Sequence, residues 1–368
     1  MKKVLEIIGT RVCHGGTEAF VQSVVERLDK SRYEVECMAV FDCENADFEK
    51  SLDKNGIKFY ALNLPVNGKI FRNDIYKPVR RFLMGKDYDV IHIHSSGVVN
   101  LSVLAAAADY NDKVKVIVHS HASGKKFSVP YKIIRRLGNL FLKKHVDYYC
   151  ACSKEAARWK FIPDKKKQIF IIRNGIDVEK FRFDKQVRAR MRNMLGLDEN
   201  AFVMGNVGRM VASKNIQFVC RIFFELLKEI PDAILLLVGD GEERQGLEKL
   251  IKDAGVENKV IFTGSVGNVC DYLQAMDVFV FPSLHEAFGI APLEAQAVGL
   301  PVIVADTLPS DVKVTEKVCF LPLEAGEKVW VEQIKKSSIL ERKDEAESIV
   351  RNGYDIGYTV EQLSHIYC

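Results

Sequence analysis

Short apolar runs alternate with stretches of helical periodicity along almost the whole chain. Residues 4–9, 35–41, 58–62, 90–94, 115–119 and 148–151 carry the apolar pattern of strands buried on both faces. Between them, 18–28, 48–55, 75–85 and 98–109 repeat apolar residues every three or four positions, which predicts amphipathic helices. The strand pattern gives way near Ile172 to Asn174-Gly175-Ile176-Asp177, which reads as a simple hinge turn. A charged helical stretch, 180–197, opens a second series, with strands at 202–207, 234–239, 260–264, 278–281, 301–305 and 318–321. Helices at 216–229, 247–254, 269–275 and 292–298 interleave, and the closing segment from 328 is mostly helical and highly charged. Such alternation builds parallel, doubly wound sheets. The expected fold class is α/β, with two Rossmann-like domains at 1–172 and 173–354 and a last helix, about 355–368, returning to the first. Ligands of such sheets bind at the carboxyl ends of the strands.

Composition narrows the class. The 368 residues exceed what one hydrophobic core usually supports, and 48% hydrophobic with 28% charged residues is ordinary for a soluble globular protein. A net charge of +4 is too small to make nucleic acid the main partner. The apolar run at 4–8 is too brief for a signal-peptide core, and no run approaches the roughly 18–20 residues that span a bilayer. A cytoplasmic protein is expected. Nine cysteines without C-x-x-C spacing point to reduced thiols, and none has a visible base partner for nucleophilic chemistry.

The most informative stretch is Glu286 to Glu294, two carboxylates that bracket Phe288-Gly289-Ile290 after a buried strand. Gly289 lets the backbone approach a ligand, and Pro292 stands where a helix is expected to begin, which puts Glu294 in its first turn. A helix N-terminus offers free N–H groups to a phosphate. After the first strand, Gly15-Gly16 precede Glu18 and a helix, a pattern that suits either a plain turn or backbone contact with a diphosphate. Beyond the first strand of the second series stand Arg209 and Lys214, placed to neutralise a diphosphate leaving group. His92, His94, His119 and His121 end two adjacent strands, each pair sharing a sheet face. No carboxylate or thiol completes a recognisable ligand set beside them, so a metal is not expected; a neutral imidazole there suits a sugar hydroxyl. In 125–144, seven Lys and Arg interleave with apolar residues and no acid, which reads equally as a packed helix and as a face for an anionic membrane or a pyrophosphate acceptor.

Taken together, Gly15-Gly16 with Glu18, His119, "VGRMVASKN", "LLLVGDGEER", "VIFTGSV" and Glu286-x7-Glu294 resemble the retaining, sugar-nucleotide-dependent glycosyltransferases of family 4. These have the GT-B fold, two Rossmann-like domains facing a central cleft. "HSHASGKKF" and the tail after "VIVAD" resemble the branch associated with bacterial capsule and exopolysaccharide assembly. The resemblance implies an N-terminal acceptor-binding domain and a C-terminal donor-binding domain. It implies a nucleotide-sugar donor, a UDP-sugar, and a lipid-linked or oligosaccharide acceptor. By the same token Arg209 and Lys214 hold the donor diphosphate, Glu294 the ribose, and Glu286 the transferred sugar. Backbone N–H groups around Phe288, Gly289 and Ile290 contact sugar and phosphate, Gly16 covers the phosphate from the other domain, and His119 is the cleft histidine. Neither cofactor nor metal is implied, because Arg and Lys carry the electrostatic load. The inferred reaction is front-face transfer with retention, in which the leaving phosphate takes the acceptor proton.

Two departures from the family pattern stand out: Ala287 where glycine is common, and "TLPSDVKV" in place of a glycine-rich loop after Asp306. A nonhydrolysing sugar-nucleotide 2-epimerase shares the architecture but needs acids placed for proton abstraction. A silent sugar-nucleotide-binding subunit of an assembly complex would have lost the residues that are present here. A periplasmic two-lobed binding protein would need a signal peptide.

Overall fold

The computed structural model describes residues 1–65, 73–95, 101–111, 113–124, 129–162 and 168–368, with 129–131 described by backbone alone. Within it the named strands pair only in parallel, in two sheets. The first contains β1 (Lys2–Ile8), β2 (Tyr33–Ala39), β3 (Lys58–Ala61), β4 (Val90–Ser95), β5 (Lys115–Ser120), β6 (Tyr148–Ala151) and β7 (Ile169–Ile171), in the order β3-β2-β1-β4-β5-β6-β7. Its helices are α1 (Gly16–Val25), α2 (Ala46–Lys54), α3 (Asn73–Leu83), α4 (Leu101–Ala108), α5 (Val129–His145) and α6 (Lys154–Lys160). The second contains β8 (Val203–Val207), β9 (Ile234–Val238), β10 (Val260–Phe262), β11 (Val278–Phe281), β12 (Val302–Ala305) and β13 (Val318–Leu321), in the order β10-β9-β8-β11-β12-β13. With it go α7 (Lys185–Met194), α8 (Ile216–Leu226), α9 (Arg244–Asp253), α10 (Val269–Ala275), α11 (Ile290–Ala297), α12 (Glu327–Ser338) and α13 (Ala346–Arg351); α14 (Ile356–Tyr367) closes the chain.

Two compact units result: Met1–Ile176 with Ile356–Cys368, and Asp177–Asp355. The chain crosses between them at Ile176–Asp177 and again at Asp355–Ile356, and the backbone polar groups of the Asn174–Asp177 turn need partners. Thr359 supplies them: its hydroxyl donates to the Arg173 carbonyl at 2.9 Å and accepts from the Gly175 N–H at 3.2 Å, while Ile356 N–H donates to Ile176 O at 2.9 Å. Helix α14 then buries Ile356, Leu363, Ile366 and Tyr367 in one core with Val4, Ile8, Phe20 and Val24. Apolar contact and the Thr359 tie hold it on the first sheet.

The structure adds β7 and α6 to the predicted elements and shifts one that matters for the site. Helix α11 starts at Ile290, with Gly289 as its N-cap, so Pro292 lies inside the first turn and Glu294 in the second. Proline is tolerated there because the first N–H groups of a helix have no intrahelical partner.

In the second unit the loops after β8 and β9 are packed backbone to backbone. Gly239 has φ +130°, and a Cβ on it would stand 2.1 Å from the Gly208 carbonyl oxygen. Gly239→Ala is therefore expected to destabilise the second unit by more than about 2 kcal/mol, through strain and a backbone clash that no rotamer relieves. Urea unfolding followed by far-UV circular dichroism checks this; a midpoint unchanged from wild type would contradict it.

Candidate functional site

In the second sheet the strand order turns outward on either side of β8 and β11, so the loops leaving these neighbours part and leave a crevice between them. After β8 come Gly208-Arg209-Met210 and a 3₁₀ turn, Ala212–Lys214; after β11 come Pro282 to Gly289 and then α11. Two backbone-directed bonds latch the loops together. Leu284 N–H donates to the Ser213 carbonyl at 2.8 Å, and Asn215 Nδ2 donates to the Pro282 carbonyl at 3.2 Å. Asn215 takes the left-handed conformation, φ 56°, which its short polar side chain tolerates. The buried Ser283 hydroxyl stands 2.9 Å from both Ser213 O and Glu286 Oε1.

On this frame Lys214 pairs with Glu286, and its Nζ lies 5.1 Å from the centre of the Phe281 ring. Arg209 is exposed and has no ion-pair partner among the described residues. Its position is fixed from below, since Met210 N–H donates to Asp240 O at 2.8 Å and Glu243 N–H to Met210 O at 2.9 Å. A paired lysine beside an unpaired arginine presents net positive charge where an anion enters.

Gly289 adopts φ 97° and ψ 86°, a conformation open to glycine, and no side chain caps α11. Phe288 is buried and stacks on Tyr354 at 5.0 Å, while Tyr354 donates to the Asp311 carbonyl at 3.1 Å. Ala287 keeps an ordinary backbone, since among the described residues only Asn63 and Asn215 are non-glycine residues at positive φ. The loop after Asp306 is held by Gln296, whose amide oxygen accepts from Val314 N–H (3.0 Å) and Thr315 N–H (2.9 Å) and whose nitrogen donates to Val312 O (2.8 Å). Thr307 ties that loop to the Ser283 carbonyl at 2.6 Å. The buried surroundings of Glu294 push its carboxyl up to about 7, with Lys180 pulling the other way. Ser213, Asn215, Ser283, Gln296 and Thr307 escaped sequence reasoning; a serine two residues beyond a buried strand end was the one available signal for Ser283.

In the first unit, α1 begins at Gly16 with Gly15 as an extended N-cap, φ −142°, so no positive φ is needed there. What Gly15 does is leave room for the Glu18 side chain. A Cβ on it would come within 2.6 Å of the Glu18 carboxylate, which folds back over the first turn. His119 departs from the expected open position. It is wholly buried, edge-on to Phe20 with ring centres 5.2 Å apart, and His121 is the more exposed of the two. Burial holds both imidazoles well below their usual range, reinforced for each by the other histidines. Phe20 seals the strand end because α1 packs its apolar face there.

Glycosyltransferase Family 4 is matched over residues 14–180 and Glycosyl transferases group 1 over 187–355, nearly the whole chain between them. The chain belongs to glycosyltransferase family 4, and its two parallel-sheet units are those of the GT-B fold. It is 29% identical to UDP-Gal:alpha-D-GlcNAc-diphosphoundecaprenol alpha-1,3-galactosyltransferase of Escherichia coli, over 77% of this chain and 76% of that one. It is 23% identical to the capsular polysaccharide biosynthesis glycosyltransferase CapH of Staphylococcus aureus, over 100% and 99%. Among solved structures, Anabaena Alr3699/HepE in complex with UDP and glucose superposes with a TM-score of 0.77 at 19% identity, over 100% of this chain and 99% of that one.

Glu294 makes stability depend on pH. Its folded value, about 7, lies above the ordinary carboxyl value, so between about pH 4.5 and 7 the folded state binds more protons than the unfolded one and stability falls as pH rises. Glu294→Gln removes this slope. Relative to wild type the variant is expected to gain up to about 3 kcal/mol on going from pH 4.5 to 8, read from denaturant midpoints; parallel pH profiles would contradict the assignment.

Proposed function

We propose that this glycosyltransferase moves a hexosyl unit from a UDP-sugar to a lipid-linked or saccharide acceptor in capsular or exopolysaccharide assembly, with retention of configuration and no metal in the transfer step. The carrying observation is the cluster at the β8/β11 crevice: an unpartnered Arg209, and a Lys214–Glu286 pair held by the Ser213–Ser283 latch. An entering diphosphate competes with Glu286 for Lys214. Once Lys214 turns to phosphate, Glu286 is released to accept from hydroxyls of the transferred sugar, so donor binding itself arms the second contact. Arg209 supplies the planar fork for the other phosphate oxygens. Glu294, one turn into α11, is assigned to the ribose, and the uncapped N–H groups around Phe288, Gly289 and Ile290 to sugar and phosphate. Gly15 and Gly16 present the start of α1 to the phosphate in the same reading. His119 is assigned to the sugar in the same reading. The leaving phosphate takes the acceptor proton, since no carboxylate of the cluster is set up as a covalent nucleophile. The relatives support this choice of donor and acceptor: UDP-galactose and a diphosphoundecaprenol in one, capsular polysaccharide in another, and UDP with glucose in the solved neighbour.

A lipid-linked acceptor fits the surface of α5. Ile133, Leu137 and Leu140 are 58%, 62% and 62% exposed, at spacings that align them on one face beside exposed Lys132, Arg136, Lys143 and Lys144. Arg135 is withdrawn from that set, its guanidinium donating to the Arg158 and Phe161 carbonyls at 2.6 Å. Lys125 and Lys126 lie outside the described residues, as do Phe127 and Ser128. Among the described residues no helix is long and apolar enough to cross a membrane. The proposed location is the cytoplasm, with α5 lying on the inner membrane face.

Incubation with UDP-sugars and a membrane extract tests the activity by acceptor-dependent UDP release. Arg209→Ala is expected to lower turnover by about 10² to 10³, the usual effect of losing one preorganised charge donor, and near-wild-type turnover would count against the assignment. Glu294→Ala should mainly weaken UDP binding and Glu286→Ala mainly depress transfer; indistinguishable effects would remove the division of roles. The triple change Ile133→Ser, Leu137→Ser, Leu140→Ser is expected to abolish co-sedimentation with vesicles rich in anionic lipid while leaving UDP binding unchanged.

A further inference from the structure

Under α1 and α14 the first sheet gathers four imidazoles and one carboxylate on a single face. The parallel register sets Glu6 beside His92 and His94 beside His119. Glu6, His92, His94, His119 and Tyr367 are all at most 1% exposed. Buried polar atoms normally have partners, yet His92 Nε2, both ring nitrogens of His119 and His121 Nδ1 have none.

Hydrogen bonding decides which of these nitrogens carry lone pairs. The Tyr367 hydroxyl donates to Glu6 Oε1 at 2.6 Å, so its oxygen accepts from His92 Nδ1 at 2.7 Å. Glu6 Oε2 stands 3.1 Å from the same nitrogen, which therefore bears the proton. A neutral ring has one donor and one acceptor, and His92 is left with its lone pair on Nε2. His94 Nε2 lies 2.6 Å from Glu6 Oε2 and donates to it, which leaves the His94 lone pair on Nδ1, where the His121 Nε2–H reaches it at 2.9 Å. Glu6 Oε2 thus faces a ring N–H of both His92 and His94, which fixes the tautomer of each. His119 completes the set with one lone pair and one N–H. One ring nitrogen from each of His92, His94 and His119 falls within 4.8 Å of the others.

We propose that His92, His94 and His119 bind one divalent transition-metal ion of the zinc class within the first unit, with Glu6 and Tyr367 as outer groups that fix the ring tautomers. Three imidazoles without a thiolate suit Zn²⁺, Co²⁺ or Ni²⁺, and a histidine whose other nitrogen donates to a carboxylate or hydroxyl is the usual form of such a ligand. At a metal–nitrogen bond of about 2.1 Å, tetrahedral ligand atoms sit about 3.4 Å apart, so separations of up to 4.8 Å close by at most about 1.4 Å, a movement that the broad χ2 torsion of histidine permits. His94 gives up its bond to His121, whose imidazole then stands free for the fourth position. His119 uses one nitrogen for the metal and keeps an N–H on the other, so this site stands independently of any role of His119 toward a sugar.

The test uses the full chain produced in medium supplemented with Zn²⁺ or Co²⁺, then dialysed. About one equivalent of metal per chain is expected by mass spectrometry, with visible d–d absorption in the Co²⁺ form and a rise in Tm over chelator-treated protein. His92→Gln and His119→Gln should each cut bound metal at least tenfold. Tyr367→Phe, which keeps the core volume, should weaken binding 10- to 100-fold while circular dichroism shows it folded. Metal below about a tenth of an equivalent with no d–d band, or metal that survives both histidine substitutions, would overturn the site. None of these readouts depends on glycosyl transfer.

Discussion

A parallel sheet that is wound outward from its middle has one place where neighbouring strands send their chains in opposite directions, and the candidate chemistry of both units depends on that place. In the second sheet it lies between β8 and β11. Because the two loops diverge, something must hold their near ends together, and backbone carbonyls at the strand ends need donors in any case. Leu284 N–H and the Ser283 hydroxyl meet the Ser213 carbonyl, and Asn215 meets that of Pro282. Lys214 and Glu286 lie on the two latched loops. Their pairing is a consequence of the latch.

The same reversal in the first sheet falls between β1 and β4, whose neighbour on the far side is β5, and there the side chains are buried. Glu6, His92, His94 and His119 lie on one face between the sheet and two helices, α1 and α14. A charged group in such an interior persists only with strong hydrogen-bond donors. Tyr367, at the end of the chain, is one of them, so the last helix contributes polar order as well as apolar burial. The first unit is thus incomplete without the final residues of the chain.

Much of this was legible in the residues. Alternating apolar and amphipathic segments marked two parallel-sheet units, because strands covered on both faces read as short, predominantly apolar runs. Strand ends located Arg209, Lys214, Glu286 and the four histidines, and the closing helical segment carried the expectation of a last helix at about 355–368 returning to the first domain. The start of α11 was misplaced by two residues, since Pro292 reads as a first helical residue while Gly289 is the actual cap. Glu18 was read as one feature of a glycine motif; its fold over Gly15 depends on the entry angle of α1.

What the sequence alone determined was the fold class and the order of loops around each sheet, because periodicity and strand ends are local properties of the chain. Tertiary structure decided everything that joins residues far apart: Lys214 to Glu286, Ser283 to Ser213, Gln296 to the loop after β12, and Tyr367 to Glu6. It also decided exposure, closing Phe20 over His119 and leaving Arg209 in the open. Charge, tautomer and access are set by what packs around a group, and side-chain spacing along a chain carries no record of that.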